Sequence, residues 1–202
     1  MQEGAGGLRQ TQQRLIRDRL VEESMKLFLR QGYDATTVEQ IAAAVGISAR
    51  SFFRYFGSKD GVILSKFDDT GDRLAEALRA RPSDEPVWDS LRRMFDDFVD
   101  YTADAEKMRQ SEAINALIAQ SEALKTGYRD RMERMQVLAT HALRERTGLD
   151  AWDARALVAG AFSCLGVAGE AAANEGVGFG AALDTAMGAL RRHINDRGAD
   201  PR

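Results

Sequence analysis

Apolar side chains recur every three or four positions along most of the chain, and this spacing predicts an all-α protein of about nine helices with no convincing strand. The first helix is predicted over residues 9–30, with Ile16, Leu20, Leu27 and Phe28 on its buried face, and it ends at Gly32. Two short helices are predicted within residues 36–59. The remaining six are expected at 59–80, 87–102, 105–119, 121–146, 151–174 and 179–197.

The segment TTVEQIAAAVGISARSFFRYFGSK, residues 36–59, has the pattern of two short helices joined by a tight turn. Thr36 and Thr37 are good N-cap residues for the first helix. Gly46 can adopt the left-handed conformation that turns the chain, Ile47 can fill the angle between the helices, and Ser48 can cap the second helix. This pattern is typical of a helix-turn-helix, which places its second helix in the major groove of DNA.

The second helix of this pair is amphipathic. Phe52 and Phe56 lie four residues apart and are expected to face the core. The opposite face carries Ala49, Arg50, Phe53 and Arg54. Arg50 is the best candidate for contacting a base, because a guanidinium can bind guanine in a bidentate way worth ~1–3 kcal/mol of discrimination. Ala49 and Phe53 can contact thymine methyl groups, and Arg54 can serve either a base or a phosphate.

The charge distribution agrees with a DNA-binding N-terminus. Residues 1–59 hold nine Lys or Arg against six Asp or Glu, a local charge of +3, while the whole chain has a net charge of −3. The rest of the chain therefore carries −6, and an excess of Lys and Arg favours phosphate binding. The alternative is that so small an excess arises by chance.

The ordered motifs of this segment resemble the N-terminal domain of the TetR family of bacterial repressors. The similarity covers residues 10–68, and it is strongest at the Gly46-Ile47-Ser48 turn, the Phe53-Arg54-Tyr55-Phe56 run and the Ser58-Lys59 pair. It implies an N-terminal three-helix helix-turn-helix domain and a C-terminal helical ligand-binding and dimerisation domain. The expected boundaries are a disordered tail at 1–8, the DNA-binding domain at 9–58, the second domain at 59–197 and a tail at 198–202.

The resemblance adds phosphate contacts to the base contacts. It implies that Thr37, Ser51, Tyr55 and Lys59 touch phosphates, although Tyr55 could instead only pack and Lys59 could instead only begin a helix. The chain departs from the common family pattern at Phe53, where many relatives have tyrosine, and at Arg50, where a small residue is common. The predicted DNA-binding residues are Thr37, Ser48, Ala49, Arg50, Ser51, Phe53, Arg54, Tyr55 and Lys59.

Small residues on the last two helices predict a dimer interface, because they allow helices to approach closely across a two-fold axis. The alternative is close packing within one chain. The predicted interface residues are Ala156, Gly160, Ser163, Val167, Ala171, Ala182, Ala186 and Ala189.

Large apolar residues between positions 88 and 162, interrupted by two amides, predict a pocket for a small hydrophobic effector. The alternative is that they only fill a core. The predicted lining is Trp88, Phe95, Phe98, Met108, Asn115, Ile118, Met135, Gln136 and Phe162. Similarity to an actinobacterial branch of the family that includes the mycofactocin-system regulators implies acyl-CoA-like ligands.

Other chemistries are not supported by the sequence. His141 and His193 lack metal-ligand partners at suitable spacing, so neither a metal nor a cofactor is expected. Cys164 lies in a small, apolar helix and is expected to be a buried thiol in a reducing cytoplasm. The least polar stretch, residues 157–169, is only thirteen residues long and is expected to be too short to span a membrane. No nucleophile or phosphate-loop motif is present, which argues against an enzyme.

The sequence therefore predicts a cytoplasmic homodimer that binds a palindromic operator on double-stranded DNA. It is expected to be a repressor that a small, largely apolar ligand releases. The alternative is a DNA-binding regulator without a small-molecule ligand, controlled by a protein partner. An all-helical enzyme is a more distant alternative.

Overall fold

A computed structural model describes the backbone over residues 3–196 and the side chains over residues 11–192. The described backbone contains eleven α-helices, one short 3₁₀ helix and no strand, which confirms the all-α prediction. The helices are α1 (Glu3–Gln31), α2 (Val38–Val45), α3 (Ala49–Phe56), α4 (Lys59–Leu64), α5 (Thr70–Arg79), α6 (Val87–Arg93), α7 (Asp96–Ala103), α8 (Ala105–Gln120), α9 (Glu122–Thr147), α10 (Ala151–Glu175) and α11 (Phe179–Asp196), with the 3₁₀ helix at Ser65–Phe67.

The chain divides into two compact units. The first comprises the residues up to Asp68 together with Glu112–Arg129, and the second comprises Asp69–Ser111 and the residues from Asp130 onward. The predicted boundary at residue 58/59 therefore lies inside the first unit, which also gains a later segment of the chain. Sequence order could not indicate this, because Glu112–Arg129 joins the first unit only through tertiary packing.

The core of the first unit is built mainly from α1, α2, α3 and α4. Leu20, Phe28, Ile41 and Phe52 are each at most 1% exposed, and Ile63 is 2% exposed. The later segment adds further apolar side chains to the same cluster: Ile114, Leu117, Ile118 and Leu124. This burial fixes the angle between α2 and α3, since both helices pack their apolar faces on one cluster.

The second unit is centred on the packing of α10 against α11, with α6 in contact with both. Trp88 of α6 joins these helices: its indole Nε1 donates to the Met187 carbonyl oxygen at 3.0 Å. A Cβ added at Gly71 would lie only 2.9 Å from Leu138 Cδ1 and 3.3 Å from Met135 Cα, so glycine is what permits α5 to approach α9 closely.

A charged network holds the loop between α5 and α6. Glu85 accepts two hydrogen bonds from Arg81, at 2.7 and 2.8 Å, and one from the Ser90 hydroxyl at 2.7 Å. These donors, Arg81 first, lower the pKa of Glu85 from 4.5 to about 2. Arg146 of α9 donates to the Pro82 and Glu85 carbonyl oxygens of the same loop at 3.1 and 2.7 Å.

Two predicted long helices are each broken in the structure, which turns nine predicted helices into eleven. The helix predicted at 59–80 is interrupted after Leu64, where the 3₁₀ turn and the pair Asp68 and Asp69 intervene. Aspartate favours turns and caps over helix interiors, because its side chain competes for backbone hydrogen bonds. The helix predicted at 87–102 breaks at Met94 and Phe95, and both side chains are almost fully buried.

Other differences concern the N-terminus and α10. Helix α1 begins at Glu3, so the backbone of residues 3–8 is helical where a disordered tail was expected, whereas the tail predicted at 198–202 lies outside the described residues. A helix that is already nucleated can extend through glycines at a cost of only ~1 kcal/mol each.

Helix α10 has 25 residues and a window of mean hydropathy 1.6, so it is long and apolar enough by composition to cross a membrane, contrary to the expectation for residues 157–169. Residues 157–169 form only the middle part of α10, which spans Ala151–Glu175. A mostly buried core helix of a water-soluble protein can have the same length and hydropathy, whereas 28% of the apolar window of α10 is buried. The buried side chains of α10 are Ala154, Val158, Ala161, Phe162, Cys164 and Ala168.

Candidate nucleic-acid interface

Local interactions define both ends of α2. Thr37 is its N-cap: the Thr37 hydroxyl oxygen accepts from the Gln40 N–H at 3.2 Å, and the Gln40 side-chain oxygen accepts from the Thr37 N–H at 3.0 Å. Such a capping box satisfies two amides that the helix itself leaves unpaired. At the other end Gly46 has φ 76°, in the left-handed region, and turns the chain toward α3. The predicted cap and turn are confirmed.

Helix α3 presents a polar and aromatic face to solvent. Ser48 caps it by accepting from the Ser51 N–H at 3.2 Å, and Phe52 is fully buried beneath it. Arg50, Phe53 and Arg54 are exposed, and the Phe53 ring is 49% exposed. We call these three residues the recognition face. An exposed phenylalanine between two arginines combines cationic donors with an apolar group that can contact a base methyl.

The remaining predicted contact residues lie close to this face in the chain. Thr37 and Ser48 are exposed, whereas Ala49, Ser51 and Tyr55 are half-buried. The first two are also engaged as helix caps, so their hydroxyl oxygens already accept backbone hydrogen bonds. The Thr37 hydroxyl can still donate to a phosphate oxygen, whereas the Ser48 hydroxyl already donates to the Ser51 hydroxyl oxygen at 3.1 Å and would have to exchange that bond for one to a phosphate.

Lys59 has a structural role that the sequence pattern did not reveal. Its ammonium donates to the Tyr33 carbonyl oxygen at 2.8 Å and to the Thr36 carbonyl oxygen at 3.0 Å, and it lies 4.1 Å from the centre of the Tyr33 ring. The Tyr33 hydroxyl in turn donates to Asp60. The start of α4 is thus tied to the loop between α1 and α2, and the phosphate contact of Lys59 stays a prediction.

Arginines of α1 also approach α3, and sequence analysis did not include them among the site residues. Arg17 lies with its guanidinium carbon 4.8 Å from the centre of the Phe56 ring, and its Nη1 is 3.5 Å from the Tyr55 carbonyl oxygen. Arg14, one helical turn earlier, lines the same open cleft as Arg54. The spacing of Arg14 and Arg17 could have indicated a basic face on α1, since residues three apart lie on the same face of a helix.

The predicted effector-binding residues are divided between the two units. Ile118 belongs to the core of the first unit, and Asn115, in the same segment, is exposed. The other seven, Trp88, Phe95, Phe98, Met108, Met135, Gln136 and Phe162, belong to the second unit. Within it, the Phe95 ring packs edge-on against the Phe162 and Phe98 rings, at centroid distances of 5.4 and 6.3 Å.

The predicted dimer residues are not equivalent in the structure. Ser163 and Val167 are exposed on α10, Val167 by 56%, and Ala156 is also exposed. Ala182 is only 7% exposed and belongs to the core, because it shares a face of α11 with Leu183 and Met187. A Cβ at Gly160 would lie 3.6 Å from the Trp88 ring, so Gly160 faces α6. Ala171, Ala186 and Ala189 are half-buried.

The side chains described contain no group of three or more His, Cys, Asp and Glu residues arranged to hold a metal ion. Cys164 is 3% exposed, and burial raises the pKa of its thiol. A buried thiol held in its protonated form is unreactive toward oxidants and electrophiles.

The geometry of α2 and α3 defines a class of protein. A capped helix, a glycine turn and a second helix with an exposed basic and aromatic face form a helix-turn-helix nucleic-acid-binding domain. The family model of bacterial regulatory proteins of the tetR family matches residues 20–65, which span most of this unit. The chain belongs to the TetR family, whose members are DNA-binding transcriptional regulators and not enzymes.

Relatives and solved structures agree with this assignment. The transcriptional regulator TcmR of Streptomyces glaucescens is 34% identical over 148 residues, which cover 71% of this chain and 66% of TcmR. FadR of Thermus thermophilus, solved with lauroyl-CoA, has a TM-score of 0.57 at 21% identity, with 92% of this chain and 96% of that one covered. NalD of Pseudomonas aeruginosa, a repressor of a multidrug efflux pump, has a TM-score of 0.60 at 16% identity, covering 89% and 95%. The structural likenesses establish the fold.

Proposed function

We propose that this protein is a homodimeric transcriptional repressor that binds a palindromic operator and is released from it by a small, largely apolar ligand. The observation that carries the proposal is the recognition face: Arg50, Phe53 and Arg54 are exposed on α3, while Phe52 anchors the same helix in the core. Because this anchor fixes the orientation of α3, the exposed side chains are presented at constant spacing to a groove.

The expected binding mode follows from the positions of the side chains. Helix α3 enters the major groove, Arg50 donates to guanine, and Phe53 contacts thymine methyl groups. Thr37 and Ser48, at the starts of α2 and α3, donate hydroxyl hydrogen bonds to phosphates, and the helix termini favour the same negative charge. Arg54 adds a cation at the end of this face. The bases supply specificity, and the phosphates fix the register.

A dimer is part of the proposal because a single short helix makes few contacts with DNA. Two copies placed about 34 Å apart would enter successive major grooves of a palindromic site. The exposed small and apolar residues of α10, Ala156, Ser163 and Val167, support an interface there. Such a surface allows the helix of a second copy to pack closely.

The proposed ligand is apolar and binds in the second unit. The aromatic cluster of Phe95, Phe98 and Phe162 supports this, and so does the structural likeness to FadR, whose structure was solved with lauroyl-CoA. An acyl-CoA-like ligand is the class to test first. A reducing cytoplasmic location fits the single buried cysteine.

A second candidate is a DNA-binding regulator that is controlled by a protein partner. It is favoured by the close packing of apolar side chains in the second unit, since Phe95 is fully buried, Met135 is 2% exposed and Phe162 is 6% exposed. Thermal unfolding with lauroyl-CoA discriminates the two, because a ligand that binds the folded state raises Tm with concentration. Loss of operator binding at the same lauroyl-CoA concentrations supports the ligand-controlled repressor.

Selection of genomic DNA fragments by the purified protein, followed by sequencing, tests DNA binding. We expect one palindromic sequence to be enriched. Arg50→Ala is then expected to weaken operator binding by ~1–3 kcal/mol and to relax the preference at one base of each half-site, with a smaller effect on random DNA. Arg30→Ala, an exposed arginine in the last turn of α1, is the matched control. Equal losses on operator and random DNA would refute base contact by Arg50.

A further inference from the structure

An open cleft of about 410 Å³ lies between α1 and α3 in the first unit. Its lining is Gln13, Arg14 and Arg17 from α1 with Arg54 and Tyr55 from α3. We call it the arginine cleft. Three of its five lining residues are cationic, and the other two can form hydrogen bonds. Small-molecule sites are mostly apolar and enclosed, so the composition of this cleft favours a charged, extended partner.

The middle arginine is held in place by contacts on three sides. Arg17 Nη1 is 3.5 Å from the Tyr55 carbonyl oxygen, its guanidinium carbon lies 4.8 Å from the centre of the Phe56 ring, and its Nη2 is 3.9 Å from an Asp68 carboxylate oxygen. These contacts orient the guanidinium without enclosing it, since the Arg17 side chain remains 43% exposed. Asp68 offsets one of the three positive charges, so the cleft keeps a net positive charge.

The two other arginines flank Arg17 and are exposed. Arg14 precedes it by one helical turn on α1, and Arg54 reaches the cleft from α3, with its guanidinium carbon 5.7 Å from the centre of the Tyr55 ring. Arg54 lies one turn after Arg50 on α3, so the cleft continues the recognition face. A guanidinium presents a planar fork of N–H donors that matches the oxygens of a phosphate.

We propose that the arginine cleft binds a phosphate of the DNA backbone beside the groove that α3 enters. The inference deepens the proposed function and rests on it. Helix α1 lies outside the helix-turn-helix pair, and its Arg14 and Arg17 meet Arg54 of α3 at the cleft, so they supply cations at the edge of the surface that α3 presents to a groove. This contact adds one bound phosphate to each half-site, beside the groove that α3 enters. Because every DNA sequence has the same phosphates, it increases the affinity for any DNA sequence.

The test is Arg14→Gln, because Arg14 is exposed and its replacement leaves the contacts of Arg17 with Phe56 and Tyr55 in place. The matched control is Arg19→Gln, an exposed arginine of the same helix with the same change in charge. At about 100° per residue, Arg19 points about 140° away from Arg14 around the helix, outside the cleft. Equal thermal unfolding of both variants and the parent verifies the fold.

Binding to operator and to random DNA is measured by fluorescence anisotropy over a range of salt concentrations. For Arg14→Gln we expect a loss of about five- to tenfold per half-site contact at 0.1 M salt on both DNAs, and a salt slope smaller by about 0.9 per contact. Ethylation interference should then identify a phosphate whose modification weakens binding of the parent and of Arg19→Gln more than that of Arg14→Gln, in which Arg17 and Arg54 remain at the cleft.

Three outcomes overturn the proposal. Arg14→Gln and Arg19→Gln could bind both DNAs equally and with the same salt slope. The loss could be confined to the operator, which would indicate base contact. Inorganic phosphate could bind the parent but not Arg14→Gln while DNA binding stays equal, which would make the cleft a free-anion site. If Arg50→Ala still relaxes specificity in these cases, the proposed function stands and only the cleft assignment fails.

Discussion

Replacement of Lys59 tests whether this residue stabilises the fold or only contacts DNA. Sequence resemblance assigns it to a phosphate, whereas the structure places its ammonium on the carbonyl oxygens of Tyr33 and Thr36, at 2.8 and 3.0 Å. These carbonyls belong to the loop that joins α1, which ends at Gln31, to α2, which begins at Val38. Lys59→Ala therefore removes a connection between that loop and α4.

The magnitude follows from what the substitution leaves unpaired. Hydrogen bonds to a charged group contribute ~1.5–3 kcal/mol, and here two bonds share one partly exposed ammonium, so we expect a loss of ~2–3 kcal/mol in the free energy of unfolding. The carbonyls cannot easily turn to solvent, because Thr36 is 1% exposed and Tyr33 is 7% exposed. Lys59→Met keeps an apolar side chain of similar length, so its effect on stability reports the loss of the ammonium hydrogen bonds without the loss of side-chain packing.

The assay is urea unfolding followed by circular dichroism, with Arg30→Ala as a control at an exposed position. Both Lys59 variants should be less stable than the parent, whereas the control should stay within ~0.5 kcal/mol of it. Variants of Lys59 as stable as the control would refute the structural role. If such variants also lost about 0.9 in the salt slope of DNA binding per contact, the sequence-derived phosphate contact would be supported instead.

Two further predictions concern the second unit. Glu85→Gln should lower the free energy of unfolding by ~1–2 kcal/mol at pH 7, because Arg81 loses its charged partner in a partly screened loop. Since the pKa of Glu85 is lowered from 4.5 to about 2, this contribution is complete above about pH 4.5 and is lost as the pH falls through about 2. Urea unfolding of the parent and of Glu85→Gln at pH 7 and at pH 3 measures it, with Glu76→Gln at an exposed position as control. The difference between parent and variant should be smaller at pH 3, and an equal difference at both pH values would contradict the reasoning. Val167→Glu should yield monomers in sedimentation velocity, whereas Val137→Glu on α9, where the valine is 49% exposed against 56% for Val167, should leave the dimer intact. A dimeric Val167→Glu would place the interface elsewhere. The substitution suits this test better than one at Gly160, where any side chain meets the Trp88 ring.

The elements that depend on local chemistry could be predicted from sequence. The cap at Thr37, the left-handed turn at Gly46 and the cap at Ser48 are where the pattern placed them, because each arises from a side chain or backbone preference within a few residues. The burial of Phe52 beneath an exposed arginine face followed from helical periodicity alone. The family could be recognised for the same reason, since its motifs lie within this short segment.

Other features required the tertiary structure, because they depend on residues far apart in the chain. Lys59 reaches carbonyl oxygens 23 and 26 positions earlier, and Arg17 meets Tyr55 across 38 positions. No local pattern encodes such distances, since the side chains involved are common on any solvated helix. For the same reason the sequence pattern predicts Ile118 in an effector pocket, whereas the structure places it in the core of the first unit.

The sequence by itself determined the helical class, the helix-turn-helix and the sign of its charge, since these depend on local propensity and on composition. The tertiary structure decided which Lys and Arg side chains are exposed and which form hydrogen bonds within the chain. It directed Lys59 to the loop between α1 and α2 and brought Arg14, Arg17 and Arg54 together at one cleft. These placements result from packing. The apolar faces of α1 and α3 are buried on a shared core, and this burial fixes where their polar faces meet.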